Sequence, residues 1–456
     1  MGLSRIFVAN RGEIAVRVIN ACNSLGVGAV VGVSAADRDG LGARIADRAV
    51  VLGPASSRDS YLNPELVVEA ARGSGCDALH PGYGFLSERA ELADLCERND
   101  IAFVGPTPDT IRQVGDKISA REIARSAGVP LVPGSDHVAS PADALSAAKE
   151  IGYPVMLKAA AGGGGRGVAI ARSEKDISDT FDTASAEAME AFGDGTLYLE
   201  RLVENARHVE VQIMGDGRGK VLHFGDRDCS AQRRYQKVVE EAPASEVPPE
   251  TAEQMRAAAV RLGESINYRN AGTVEFLYDA DRDAFFFIEV NARIQVEHPV
   301  TEQVTGFDLV AQQLKIAAGE PLALSQDSIK ISGHAIECRI NAEAPARDFA
   351  PAPGRITAWL PPDDESIRID SHCRQGTTVP PYYDNMIGKL IVHGASRADA
   401  ISRMRGALAD FRVDGIDTNI LFQAFIVGHR DFKSNRIDTR WLENVLLPDY
   451  KHTMGG

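Results

Sequence analysis

The chain has 456 residues, a formal charge of −15 at neutral pH and 44% hydrophobic residues, a length that suits about three domains with a large core. The acidic balance and the lack of any dense Lys/Arg run argue against nucleic acid or an anionic membrane as partner. No apolar run reaches about 18 residues and the start, GLSRIFVANRG, is too short for a signal-peptide core; with six scattered cysteines and no C-x-x-C pair, a soluble cytoplasmic protein with free thiols is expected.

The first hundred residues alternate short apolar strands with helical patterns. Strands are predicted at 6–9, 29–33, 49–52 and 78–80, and a helix at 13–25 stopped by Gly26, the pattern of a doubly wound parallel sheet. Asn10-Arg11-Gly12-Glu13 follows the first strand in place of G-x-G-x-x-G, so a dinucleotide site is not supported. Residues 80–86, HPGYGFL, end a strand in a Gly-rich aromatic turn, either a tight structural turn or a ligand site of an open sheet. A helical linker covers 106–130. A smaller unit follows at about 131–203, centred on a strand at 154–160, the tract GGGGRG at 162–167 and a strand at 168–171. Beyond 204 the chain is strand-rich, with helices predicted near 250–266 and 307–318, and a strand at 333–339 opens a final α+β segment.

Three stretches carry chemistry. In FFFIEVNARIQVEHPVTE (285–302) an apolar run gives way to Glu289, Asn291, Arg293, Gln295 and Glu297 at every second position. A strand continued through them would place all five on one face. Glu289 and Asn291 offer oxygens to a hard divalent cation, Arg293 can fork onto a planar anion, and Glu297 is free to act as a base. The glycine tract can wrap a phosphate with backbone N–H groups, and the strand residue Lys158 just upstream would point at the same phosphates. The G-K-[ST] ending of a Walker A loop is missing. Glu275, amid Val274, Phe276 and Leu277, calls for a cation, either a metal or a buried Lys or Arg. Lys237, in QRRYQK (232–237), reads as an anion ligand in a cleft. Arg339, in AIECRIN, is either a site residue or the partner of Glu337 or Glu343 in a structural salt bridge.

Strand lysine, glycine turn and paired Glu/Glu-x-Asn together resemble the ATP-grasp superfamily. Within it, ANRGEIA, HPGYGFLSE, GDK, KAAAGGGGRG, RHVEVQI, RDCSAQRRYQKVVEEAPA, FIEVNARIQVEHPVTE, GHAIECRINAE and PPYYDNMIGKL look like biotin carboxylase motifs, in family order from 10 to 389, with weaker similarity to the end. The resemblance implies an α/β ATP-grasp fold with a Rossmann-like N-terminal domain (1–115), an ATP-grasp domain (116–330) with a small α+β lid (131–203), and a C-terminal α+β domain (331–450). It implies ATP, bicarbonate, carrier-bound biotin and two magnesium (or manganese) ions. Lys117 and Lys158 would hold the ATP phosphates beneath the lid glycines Gly164, Gly165 and Gly167. Glu200 and Val203 would receive the adenine edge, with His208, Gln232 and Tyr235 near the ribose. Glu275, Glu289 and Asn291 would bind the metal. Lys237, Arg293, Gln295 and Val296 would position bicarbonate for deprotonation by Glu297. Arg339 would stabilise the biotin enolate, in a pocket lined by Tyr83 and Phe85.

Three positions depart from the family pattern. Tyr235 stands where many members have His, Thr439-Arg440 replaces an apolar–aromatic pair, and Asn20 and Ser24 replace a charged pair at a dimer contact. A homodimer is expected nonetheless. Another ATP-grasp ligase and a non-catalytic regulatory homologue are the competing readings. EHPVTE with ECRINAE favours biotin over the first, and the full set of ionisable site residues weighs against the second. No methionine is followed by lysine, so the Met-Lys-Met turn that carries biotin in such enzymes is not seen. A separate biotin carboxyl carrier protein and a separate carboxyltransferase are therefore expected as partners, in an acetyl-CoA carboxylase or a related acyl-CoA or 2-oxo-acid carboxylase.

Overall fold

The computed structural model describes residues 2–159 and 168–454. The fold is mixed α/β and forms two compact units, Met1–Val129 with Arg207–Gly456, and Pro130–Ala206. Among the described residues no helix is long and apolar enough to cross a membrane, and the six cysteines are free and buried.

The first unit opens with a parallel sheet of five strands ordered Arg48–Gly53, Gly28–Ser34, Arg5–Val8, Ala78–His80, Ala102–Phe103. Its central strand is covered on both faces, with Ile6, Phe7 and Val8 fully buried, as continuous apolar runs in parallel sheets require. The helix Gly12–Ser24 follows that strand directly and packs Ile14, Val18 and Ile19 inward. Segment 80–86 is indeed a tight turn: His80 Nδ1 accepts the Gly82 N–H at 3.0 Å, and Phe85 takes a φ of 42°. Burial pushes the His80 imidazole down to about 4, so it is neutral.

An eight-stranded sheet runs in the order Ala284–Asn291, Arg269–Asp279, Ala206–Asp216, Val221–Arg233, Gln236–Ala242, His334–Asn341, Met386–Gly394, Arg368–Ser371. The sheet draws strands from both sides of position 330, since Gln236–Ala242 pairs antiparallel with His334–Asn341, Glu240 facing Glu337. Alternation sorts the side chains of its C-terminal strands. Ile336, Cys338, Ile340, Leu390 and Val392 face a core closed by the helix Arg397–Asp410, while Glu337, Arg339 and Lys389 point the other way. There the helix His298–Thr305 brings Val300 and Val304 against Ala242, Ala335 and Ile391.

The strand that begins in the FFFI run ends at Asn291 and does not continue to Glu297. Residues 292–296 turn, and Glu297 is the N-cap residue of the helix His298–Thr305, which carries Pro299 in its first turn. Proline suits that position because its missing N–H has no helical acceptor to lose. The Glu88 carboxylate closes the strand end, accepting from the Ala292 N–H at 3.0 Å and from Arg293 Nε at 2.8 Å.

In the second unit the four strands are ordered Gly134–Val138, Leu197–Arg201, Val155–Ala159, Val168–Ala171. Helices Pro141–Ile151 and Glu174–Phe192 are capped by Ser140 and Ser173.

Glu241 lies on the apolar side of the large sheet, opposite Ile336. It accepts from His334 Nε2 at 2.8 Å and from Arg397 Nε at 2.7 Å. Burial alone would push its carboxyl up; His334 and Arg397 outweigh this and hold it at about 2, against an ordinary 4.5. A carboxyl lowered by folding contributes stability that is complete above its unfolded value and is lost as pH falls towards the folded one. Glu241→Gln is therefore expected to cost on the order of 3 kcal/mol near neutral pH. The gap to wild type should narrow below about pH 4.5. Denaturant unfolding across that range measures it; a gap independent of pH would mean that the ion pair is not its source.

Candidate active site

Lys237 sits at the centre of the site. Its strand, Gln236–Ala242, follows a two-residue turn, Arg234–Tyr235, in which both residues have positive φ, 49° and 64°. The turn type usually takes Asn-Gly, and it leaves Tyr235 96% exposed. Lys237 Nζ donates to Glu210 Oε2 at 2.5 Å, Glu297 Oε1 at 2.6 Å and Glu275 Oε1 at 3.0 Å. Three carboxylates around one ammonium are tolerable only with further cations. Arg227, fully buried, donates Nε to Glu210 Oε1 at 2.5 Å and is held by Gln212, Thr301 and Thr273. Arg339 donates Nη2 to Glu297 Oε2 at 3.0 Å and Nε to Glu240 Oε1 at 2.6 Å.

Glu297 is fully buried between these groups. Burial would push its carboxyl up, but Lys237, then Arg339 and Arg227, hold it well below the usual carboxylate range. It is an ionised carboxylate poised on two cations. Among the described residues Arg339 is not bonded to Glu337 or Glu343, the partners that one of its two sequence readings gave it. Its partners are Glu240 and Glu297, because the antiparallel register brings the neighbouring strand's Glu240 onto the same face. Glu343 instead accepts from Asn385 Nδ2 at 3.3 Å. Glu337 is buried with neither oxygen hydrogen-bonded among the described residues, and burial pushes its carboxyl well above the ordinary range. Burial raises its facing neighbour Glu240 to about 7, against the pull of Arg339.

Glu275 and Glu289 stand directly opposite in register, as do Thr273 and Asn291. Of the two kinds of partner expected for Glu275 the structure has the buried lysine: Glu275 is paired with Lys237, stands 3.0 Å from His208 Nε2, and accepts from Gln295 Nε2 at 3.1 Å. Gln232 Nε2 lies 3.0 Å from His208 Nδ1. Asn291 donates to Glu289 Oε1 at 3.3 Å and accepts from Arg293 Nη2 at 2.6 Å, while Arg293 Nη1 reaches Gln295 Oε1 at 2.6 Å. Burial and the charge of Glu275 push the Glu289 carboxyl up. Two carboxylates and an amide oxygen, all hard donors that crowd negative charge, fit a divalent cation.

His208, Lys237, Glu275, Glu289, Asn291, Arg293, Gln295 and Arg339 line a cleft of about 940 Å³ that also reaches Tyr83, Phe85 and Val296. Phe85 stacks on Tyr61 at 5.0 Å between ring centroids, and the Val296 carbonyl accepts from Lys389 Nζ at 2.8 Å. Lys117 is exposed as the first residue of the helix Lys117–Ser126. In the second unit Lys158 is ion-paired with the buried Glu200 of the adjacent strand, and Val203 is buried. Gly164, Gly165 and Gly167 lie outside the described residues. Sequence reasoning missed Glu210, Arg227, Glu240 and Glu88. The alternating polar residues of HVEVQI were the available signal for Glu210 and Gln212.

Comparison with known proteins gives the family. Residues 2–111 match the family model "Biotin carboxylase, N-terminal domain", 116–325 "Carbamoyl-phosphate synthase L chain, ATP binding domain" and 337–444 "Biotin carboxylase C-terminal domain". Biotin carboxylase 1 of Bacillus subtilis is 48% identical over 97% of this chain and 98% of its own length. The biotin carboxylase of Campylobacter jejuni, solved as a β-γ-ATP complex, superposes with a TM-score of 0.88 at 45% identity, covering 97% of this chain and 98% of that one. The biotin carboxylase domain dimer of Hydrogenobacter thermophilus 2-oxoglutarate carboxylase, solved with MgADP, ADP and bicarbonate, gives 0.86 at 45% identity and the same coverage. With an ATP-grasp fold and relatives this similar over nearly their full length, the chain belongs to the biotin carboxylase family.

Proposed function

We propose that the chain carboxylates biotin presented on a carrier protein, using ATP and bicarbonate, with the residues around Glu297 performing the chemistry. It is an ATP-dependent ligase of the biotin carboxylase family. The observation that carries the residue assignment is the convergence of Lys237 and Arg339 on the two oxygens of one buried carboxylate. Bicarbonate is a planar oxyanion, and the same cations, with Arg293 and Gln295 beside them, suit it. When bicarbonate takes bonds from Lys237 and Arg293, Glu297 loses part of what holds its proton affinity down, and it can accept the bicarbonate proton. The freed oxygen attacks the γ-phosphorus, ADP leaves, and the resulting carboxyphosphate breaks down to CO2 and phosphate. The phosphate takes the ureido proton of biotin, the enolate attacks CO2, and Arg339 balances the enolate charge.

Glu275, Glu289 and Asn291 would hold magnesium, as two ions, with manganese as a substitute. The bound metal neutralises phosphate oxygens and orients them. Lys117 and Lys158 would neutralise the phosphates, with Gly164, Gly165 and Gly167 over them. Glu200 and Val203 would meet adenine, and His208, Gln232 and Tyr235 the ribose. Val296 completes the bicarbonate site, and Tyr83 and Phe85 the biotin pocket. Domains at 1–115, 116–330 and 331–450, with a lid at 131–203, fit this division of labour. A separate carrier and carboxyltransferase, a homodimer and a cytoplasmic location complete the reading. The dimer named among the structures supports the second of these and the free buried thiols the third. The final acceptor is an acyl-CoA, as in acetyl-CoA carboxylase, or a 2-oxo acid.

A phosphate-release assay tests the reading: slow hydrolysis of MgATP is expected to quicken with bicarbonate and free biotin, and no response to either would overturn it. Glu297→Gln removes a base but no phosphate ligand. Its bicarbonate-dependent turnover should fall by about 10²-fold or more with the KM for ATP little changed; wild-type rate in this variant would place the base elsewhere. Arg339→Ala should reduce biotin carboxylation far more than biotin-independent ATP cleavage, because the enolate forms only with biotin present. Equal losses would make Arg339 a structural cation.

A further inference from the structure

One buried cation has no part in the chemistry assigned above. Lys389, fully enclosed on the strand Met386–Gly394, stands opposite Arg339 in register. Its Nζ donates at 2.8 Å to the carbonyl of Val296, the residue before Glu297. It also lies 3.1 Å from Glu13 Oε1 and 3.9 Å from Asp370 Oδ2. Glu13, in the first turn of the helix Gly12–Ser24, accepts a hydrogen bond from the Tyr83 hydroxyl. Its second oxygen has no hydrogen-bond partner among the described residues. Tyr83 lines the cleft. Thus one ammonium is joined on one side to the peptide that carries the base and on the other, through Glu13, to an aromatic wall of the pocket.

A core ion pair that served stability alone would need none of these links. Burying an ammonium and a carboxylate is costly, and apolar side chains of the same volume often serve a core as well. The backbone bond to Val296 and the side-chain bond to Tyr83 give the pair two specific outputs, both at the cleft. Burial pushes the Glu13 carboxyl up, and Lys389 is the largest influence opposing this.

We propose that Lys389 and Glu13 are positioning residues that set the base segment and the Tyr83 wall in a common register, so that biotin and bicarbonate meet in one geometry. The inference rests on the biotin pocket proposed above. Lys389 is enclosed beneath the cleft and Glu13 stands at its lining beside Tyr83; both act through Val296 and Tyr83.

The test is steady-state kinetics of the full chain with free biotin, bicarbonate and MgATP as varied substrates. Wild-type enzyme is measured first, since a wild type without biotin response defeats the pocket assignment and not this one. Lys389→Met and Glu13→Gln are each expected to raise the KM for biotin and lower kcat, together by about tenfold or more in kcat/KM. The KM for MgATP should stay within about twofold. Tyr83→Phe should give a similar loss in biotin kcat/KM, and combined with Glu13→Gln it should add little, because the two share one hydrogen bond. Additive losses, or a lowered Tm with wild-type biotin kinetics, would overturn the proposal. Should Lys389→Met fail to fold, the isosteric Glu13→Gln and its cycle with Tyr83→Phe decide the matter alone.

Discussion

Lys237 brings one positive charge into contact with Glu210, Glu275 and Glu297, and much of the cleft is arranged around that imbalance. At protein-interior dielectric, close like charges repel strongly, so the carboxylates coexist only where cations stand between them. Arg227 answers Glu210 and Arg339 takes the far oxygen of Glu297, while the His208 ring faces Glu275. Both arginines are anchored by something else as well. Thr301 and Thr273 hold Arg227, and Glu240 holds Arg339. The cluster is therefore rigid before any substrate arrives. An anion entering it competes for bonds already formed, which favours the small planar ones that can match their directions.

The eight-stranded sheet makes such a cluster affordable by geometry. Alternation along His334–Asn341 and Met386–Gly394 sends apolar side chains to one face and Glu337, Arg339 and Lys389 to the other. The apolar face supplies the core with the helix Arg397–Asp410. The charged face is roofed by a helix whose N-cap position is Glu297 itself. The base is consequently fixed by a helix start and addressed by strands from below, and its orientation depends on both.

Much of this was legible in the sequence. The strands and glycine punctuation of the first hundred residues, the strand lysine Lys158 and the pair Glu275 and Glu289 all followed from period and composition, and Glu275 and Glu289 do face each other in register. What failed was the extension of period two beyond Asn291. Polar residues at alternate positions fit a strand face, but they fit a turn equally, and Pro299 was the signal that a helix begins there. The partner of Arg339 was illegible for a different reason. Glu240 and Glu241 are neighbours in the chain, yet one meets Arg339 and the other His334 and Arg397 on the opposite face. Choosing between them needs the cross-strand register, which local sequence does not encode. Glu210 and Arg227, 17 residues apart, pose the same difficulty, as do Lys389 and Val296 at 93.

Glu240 and Glu337 face each other across two buried strands, and among the described residues one arginine, Arg339, is bonded to the pair. Burial raises both carboxyls in the folded chain, so each binds a proton more tightly there than in the unfolded one. Folding favours proton uptake at these two sites, in the sense opposite to the buried His80, which gives its proton up. The heat of unfolding accordingly carries the ionisation heat of whatever buffer exchanges protons with these groups, and its value follows the choice of buffer.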